Sequence, residues 1–279
     1  TTSIGSIAGG GNIALGDGTL VASGSSDLTF SGVISGNGGI SKSGTGTLTL
    51  TGTNTYTGKT TITQGAISIA ANENLGAAPT PTAVADQLTL NGGSLVVTSD
   101  LTFSTTRGIT LGSSNGTLNA ASGKTITYGG VVAGTGGLTK AGAGSLVLSG
   151  VNTYSGATTI SAGAVSVTGS GSLGTVSGGA ATYAGNIANS GTLTYSSSTP
   201  QTFSGAISGT GTLTKDTSAA STLTLSGSNT YTGTTTITVG TIAVSSDNNL
   251  GAAPGSLVAD RLTLNGGTLQ ATSSFTMSS

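Results

Sequence analysis

Short apolar–polar–apolar triplets recur along this chain at a nearly constant interval. Pairs of apolar residues two positions apart stand at Leu28/Phe30, Leu48/Leu50, Ile67/Ile69, Leu88/Leu90 and Ile109/Leu111. They continue at Ile126/Tyr128, Leu146/Leu148 and Val165/Val167, then at Leu223/Leu225, Ile242/Val244 and Leu262/Leu264. Most steps are 19 to 21 residues. Alternation of this kind marks a strand with one buried face. A period near 20 is too short for a propeller blade or a helical pair and suits one solenoid coil. No 3.6-residue apolar stripe is present, and the abundance of Thr, Ser, Gly and Val disfavours helix. The pattern predicts an all-β chain, a right-handed parallel β-helix of about 12 or 13 coils, roughly 20 residues each, forming a rod roughly 60 Å long.

Longer repeats are superimposed on this period. Segments 28–79, 126–174 and 201–254 match one another, and a shorter module occurs at 84–103 and again at 258–277. Residues 1–279 are therefore expected to form a single continuous β-solenoid segment. The stretch 168–200 has fewer large apolar residues and is expected to be a distorted coil or a loop leaving the rod. Glycine and asparagine at the corners are expected to supply the positive φ values of sharp turns.

Composition narrows the functional classes. Only 5% of residues are charged, seven Lys and Arg against eight Asp and Glu, while 34% are hydrophobic. The net charge of −1 offers no basic stripe for nucleic acid. There is no Cys and no His, which removes thiolate chemistry and a base for a serine nucleophile. No apolar run of about 18 residues exists, so no helical membrane insertion of this segment is expected. The chain opens Thr-Thr-Ser without a leader and is expected to be a mature product or a window of something longer.

The run FSGVISGNGGISKSGTGTLTLTGTNTYTGKTTITQGAISI at 30–69 resembles the autotransporter passenger-associated strand repeat. Residues 128–167 and 203–244 carry the same pattern, each with Asn-Thr-Tyr-(Thr/Ser)-Gly. The resemblance implies a β-helical passenger exported by type V secretion and displayed on, or released from, the outer membrane. The family's C-terminal membrane barrel and signal peptide have no counterpart in this stretch. Stalks, adhesins and enzymes share that scaffold, so the fold does not choose among them.

The recurring turn motif Asn54, Tyr56, Gly58; Asn152, Tyr154, Gly156; Asn229, Tyr231, Gly233 reads as structural: asparagine bonding its own turn and tyrosine closing a core corner. Sugar contact by the tyrosines is the alternative. Lys42, Lys140 and Lys215 are expected to solvate strand ends. Asp86 and Asp260 are expected in Asx-type turns. Gly58-Lys59-Thr60-Thr61 lacks the upstream glycine of a phosphate loop, since Thr53 stands there. One Glu, Glu73, and two arginines, Arg107 and Arg261, are too sparse for acid–base catalysis. Threonine runs at 47/49/51, 61/63, 222/224 and 236/238 raise an ice-binding face, against which the runs are expected on several faces. No catalytic, cofactor or metal site is expected. The expected role is a structural or adhesive segment of a large secreted bacterial surface protein: stalk, adhesin shaft or extracellular-layer subunit. Its expected partners are flanking repeats of the same chain or end-to-end copies, with host or surface glycans as further candidates.

Overall fold

The computed structural model describes residues 2–216, 221–256 and 258–277. Among these, strands of two to seven residues alternate with tight turns, and there is no α-helix, only two 3₁₀ turns at Asn72–Leu75 and Asp247–Leu250. One coil shows why the sequence winds as it does. Strands Arg107–Leu111, Gly116–Ala120 and Thr125–Tyr128 form three sides of a turn. The next turn, Val132–Gly134, Leu138–Ala141 and Ser145–Leu148, lies parallel on it with Ile109 on Val132, Leu118 on Lys140 and Ile126 on Leu146. A strand bonds none of its own backbone groups, so each coil is completed by its neighbours.

Stacking produces parallel sheets of seven, nine and eight strands running along the rod, with a six-stranded sheet toward the C-terminal half. Alternation along each triplet turns one residue inward, and a single continuous core of stacked Leu, Ile, Val, Phe and Tyr fills the interior. Successive turns lie about 22 residues apart, and the pairing of the described strands from Thr2 through the nine-stranded sheet to Leu262 gives twelve coils, roughly 60 Å at a strand spacing of about 4.8 Å. That agrees with the expected 12 or 13 coils, although the expected step of 20 residues is short for a visible reason. The apolar pairs do not form one ladder. Leu28, Leu48 and Ile67 stack in the nine-stranded sheet, but the next member there is Leu95. Leu88, by contrast, stacks on Thr60 in the seven-stranded sheet. The turn containing 72–86 lengthens that coil, so a constant 20-residue step slips from one face to the next.

The stretch expected to be irregular contains the exception to parallel pairing. Thr175–Ser177 and Ala180–Tyr183 form an antiparallel pair around Gly178 and Gly179, both at positive φ. This excursion separates Ala164–Gly169 from Thr192–Ser197, yet those two strands stack in perfect parallel register, Val165 on Leu193 and Val167 on Tyr195. The coil leaves the rod and returns without breaking the core.

Candidate functional site

The Asn-Thr-Tyr-x-Gly motif lies at a corner of the rod three times, and its side chains point into the structure. Asn54 accepts the Ile34 amide at 2.8 Å and donates to the Asn74 carbonyl at 2.6 Å. Asn152 accepts the Val132 amide at 3.1 Å and donates to Gly150 and Ser172 carbonyls at 2.9 and 3.1 Å. Asn229 accepts the Ile207 amide and donates to the Asn249 carbonyl. These asparagines bridge the coil below to the coil above; they do not principally bond their own turn, as the sequence had suggested. The chain there is irregular, and the side-chain amide supplies the donor and acceptor that a continuous ladder would have provided.

Tyr56, Tyr154 and Tyr231 are fully buried. Their hydroxyls bond Thr60, Thr158 and Thr235 Oγ1 at 2.7, 2.7 and 2.6 Å, so each ring fills the core and its polar end is satisfied four residues on. Burial pushes the Tyr56 phenol up to about 12. No ring face is presented to solvent for stacking on a sugar. The glycines of the motif are needed for close approach: a Cβ on Gly58 would lie 2.4 Å from the backbone of Gly38, and one on Gly156 2.4 Å from that of Gly136. Positive φ is not the reason at these positions.

The three lysines overturn an expectation. Lys42, Lys140 and Lys215 are at most 2% exposed; they do not solvate strand ends. Each occupies an inward core position, Lys140 between Leu118 and Ile160 in the stack. Its stem packs in the core while the ammonium reaches the corner, donating to Ala141 and Gly142 carbonyls at 2.7 Å and Ala162 at 3.3 Å. Lys42 donates to the Gly44 carbonyl, and Lys215 to Asp216 O while lying 5.8 Å over the Tyr195 ring. The sequences Ile40-Ser41-Lys42, Leu138-Thr139-Lys140 and Leu213-Thr214-Lys215 already carried this signal, because period two puts lysine on the same face as the preceding Ile or Leu.

Burial lowers the Lys140 amine from 10.5 to about 8, and shifts Lys42 and Lys215 in the same direction. Between those two values the unfolded chain holds more protons than the folded one, so stability rises with pH across that window. From pH 7.5 to 9.5 the unfolding free energy is expected to increase by about 1–2 kcal/mol more in the natural chain than in Lys140→Met. Urea titrations at both pH values check this, and identical pH profiles would mean that the amine is solvated.

Arg107, noticed in the sequence only for its rarity, is fully buried. Its guanidinium donates to the Leu75 carbonyl at 2.8 Å, the Gly76 carbonyl at 2.7 Å and Asn72 Oδ1 at 3.3 Å. Desolvation lowers its pKa, opposed by Tyr56, Glu73 and Tyr128. No sequence rule marks an isolated arginine for such a place, because its acceptors lie 31 to 35 residues earlier. Gln87 and Arg261, equivalent in the short module, both reach back to the motif coil. Gln87 bonds Thr57 and Gly58 carbonyls at 3.2 and 2.9 Å, and Arg261 bonds Thr232 O.

The surface is polar but chemically quiet. Lys59 pairs with exposed Asp86 at 2.6 Å, and Lys124 with Asp100 at 3.9 Å. Thr60, beside Lys59, is buried in strand Thr60–Ile62, the turn-then-strand geometry expected of Gly58-Lys59-Thr60-Thr61. Asp260 sits in a turn at φ 64. The threonine runs lie on different sheets, as expected. Even so, register aligns six threonines, a serine and a valine in one outward rank on the eight-stranded sheet, from Thr102 to Thr263. Among the described residues no cluster of acidic side chains is suited to a metal ion, and no helix is long and apolar enough to cross a membrane.

A parallel solenoid whose corner asparagines, inward tyrosines and buried lysines recur with each long repeat defines a β-helical repeat protein. The repeat itself has a known counterpart: residues 40–69, 138–167 and 220–244 match the passenger-associated-transport-repeat, and the chain carries it three times. A 79-residue stretch, 28% of the chain, is 44% identical to the adhesin BmaC autotransporter of Brucella suis biovar 1 (strain 1330). That match spans 2% of the relative's length. No solved structure matches the chain.

Proposed function

We propose that this chain is a shaft segment of a secreted, surface-displayed passenger, serving adhesion or an extracellular layer by spacing rather than by chemistry. The reading rests on one observation: Lys42, Lys140, Lys215 and Arg107 are folded into the rod and hydrogen-bonded to its own carbonyls. A catalytic surface requires such groups to face substrate. What remains outside is chiefly Thr, Ser and Gly with scattered carboxylates such as Asp17, Asp27 and Asp100, which outnumber the outward Lys59, Lys124 and Arg261. The repeat match and the resemblance to an autotransporter adhesin support extracellular placement.

The partners follow from the stacking. A coil on either end of the rod offers a strand edge to another coil, from flanking repeats or from a second copy. Sedimentation velocity at rising concentration is expected to show rods adding end to end, with blank glycan-array and thermal-hysteresis measurements on the isolated chain. A strictly monomeric species removes self-association. Saturable glycan binding, or hysteresis from the threonine rank, replaces the shaft reading.

A further inference from the structure

The hairpin that leaves the rod carries a strand edge that no neighbour covers. Thr175–Ser177 pairs antiparallel with Ala180–Tyr183 across the two-residue turn Gly178-Gly179. A turn of that length makes Ser177/Ala180 and Thr175/Thr182 the hydrogen-bonded pairs and leaves Val176/Ala181 between them. The Ala181 amide accordingly points the other way and donates to the Pro200 carbonyl at 2.9 Å. Val176 therefore turns its own N–H and C=O outward, and among the described residues no hydrogen bond reaches either group. The strand is first in a six-stranded sheet that continues toward the C-terminus. Its free edge thus faces the N-terminal side of the rod, midway along the flank and not at an end.

The surface on that side is apolar. Val176 is 40% exposed, Val151 40% and Val131 44%. Val151 stacks on Ser172, just before the hairpin begins, and Asn152 ties its coil to the Val132 amide of the coil below. The three valines stand on successive coils leading to the edge, whereas the other exposed large apolar side chains, Val258, Leu264 and Met277, all follow Gly255. We infer that Thr175–Ser177 and these valines form a docking surface for an extended, uncharged strand of a partner protein. The strand pairs with Val176 and lays β-branched side chains over Val151 and Val131.

Composition selects this occupant. Between 125 and 214 the chain has one charged residue, Lys140, and it is buried, so nothing at this surface attracts a charged partner or repels a neutral one. Exposed edges are usually guarded by lysine, proline or a bulge, and Thr175, Val176 and Ser177 supply neither residue. In strand addition of this kind, backbone pairing gives affinity and alternate side chains give specificity. A second copy of this chain is the poorer match. Its hairpin offers three residues between Gly174 at φ 81 and Gly178 at φ 59, which end the ladder on both sides, whereas a free strand continues past them to the valines. The surface lies on the flank, so it does not depend on whether the rod's ends stack.

Amide and methyl NMR of the full chain with the peptide acetyl-Thr-Val-Thr-Val-Thr-amide tests the inference. Saturable shifts are expected at the Val176 amide and at the methyls of Val131 and Val151. The same peptide with its backbone nitrogens methylated cannot pair with the edge and is expected to bind roughly fivefold more weakly. Val176→Pro removes the donor at an edge position that tolerates proline, and is expected to abolish the shifts at Val131 and Val151. Ser177→Lys, which places a charge beside the free edge and leaves the core untouched, is expected to weaken binding in the same direction. Equal binding of the two peptides, or no saturable shift, overturns the inference. So do Val176 shifts that follow protein concentration without peptide, because they make a second copy the occupant.

Discussion

Replacing Arg107 by alanine is expected to destabilise the rod by about 3–5 kcal/mol, the range seen when one member of a buried charged network is removed. The side chain is fully buried and spans two coils. Its loss leaves the Leu75 and Gly76 carbonyls in a dry interior and opens a cavity the size of the guanidinium and its stem. Arg107→Lys is expected to recover only part of the loss, because one ammonium cannot serve acceptors held by a planar fork. Urea unfolding gives the magnitude. Hydrogen exchange at 72–77 gives the location, since that turn is expected to open first. A loss below about 1 kcal/mol would show that water replaces the guanidinium, and that the turn does not depend on it.

Asn152 is the second sensitive point. Asn152→Leu keeps the volume but strands two buried groups, the Val132 amide and the Ser172 carbonyl, while the Gly150 carbonyl keeps the Ser172 amide at 3.1 Å. Each costs about 1–3 kcal/mol when left unpaired, less than additively where the coils relax, so a total near 3 kcal/mol is expected. Asn152→Asp distinguishes hydrogen bonding from packing. Its carboxylate still accepts from Val132 but faces two carbonyls, so it is expected to be destabilised at neutral pH and partly restored in acid, where the protonated group donates again. Equal stability of the leucine variant and the natural chain would show that the corner holds by packing alone.

The fold was legible because a solenoid repeats its physics. Triplets such as Leu146-Val147-Leu148 declare an inward face, and the long repeats declare that the same coil returns. The change of face at 72–86 was not legible, because it leaves no mark in a one-dimensional period. The buried lysines are legible in the alternation of Leu138-Thr139-Lys140, which outweighs the usual preference of an ammonium for solvent because the stem is apolar and the amine reaches the corner carbonyls. Arg107 was not legible at all. Its environment is made by residues more than 30 positions earlier that meet it only after stacking. The asparagines fall between: their residue type announced a turn, but their bonding partners are one coil away in each direction.

The antiparallel loop at 175–183 shows how such a molecule accommodates change. Strands on its two sides stay in register, Val165 over Leu193, although 28 residues separate them where neighbouring steps take 19 or 20. The winding thus tolerates extra chain wherever it exits and re-enters at one corner, since only the returning strands must match. Evolution can lengthen such a coil outward, hanging new surface on the side of the rod, without renegotiating the interior. Diversity in a protein of this kind is therefore free to accumulate laterally while the axis remains constant.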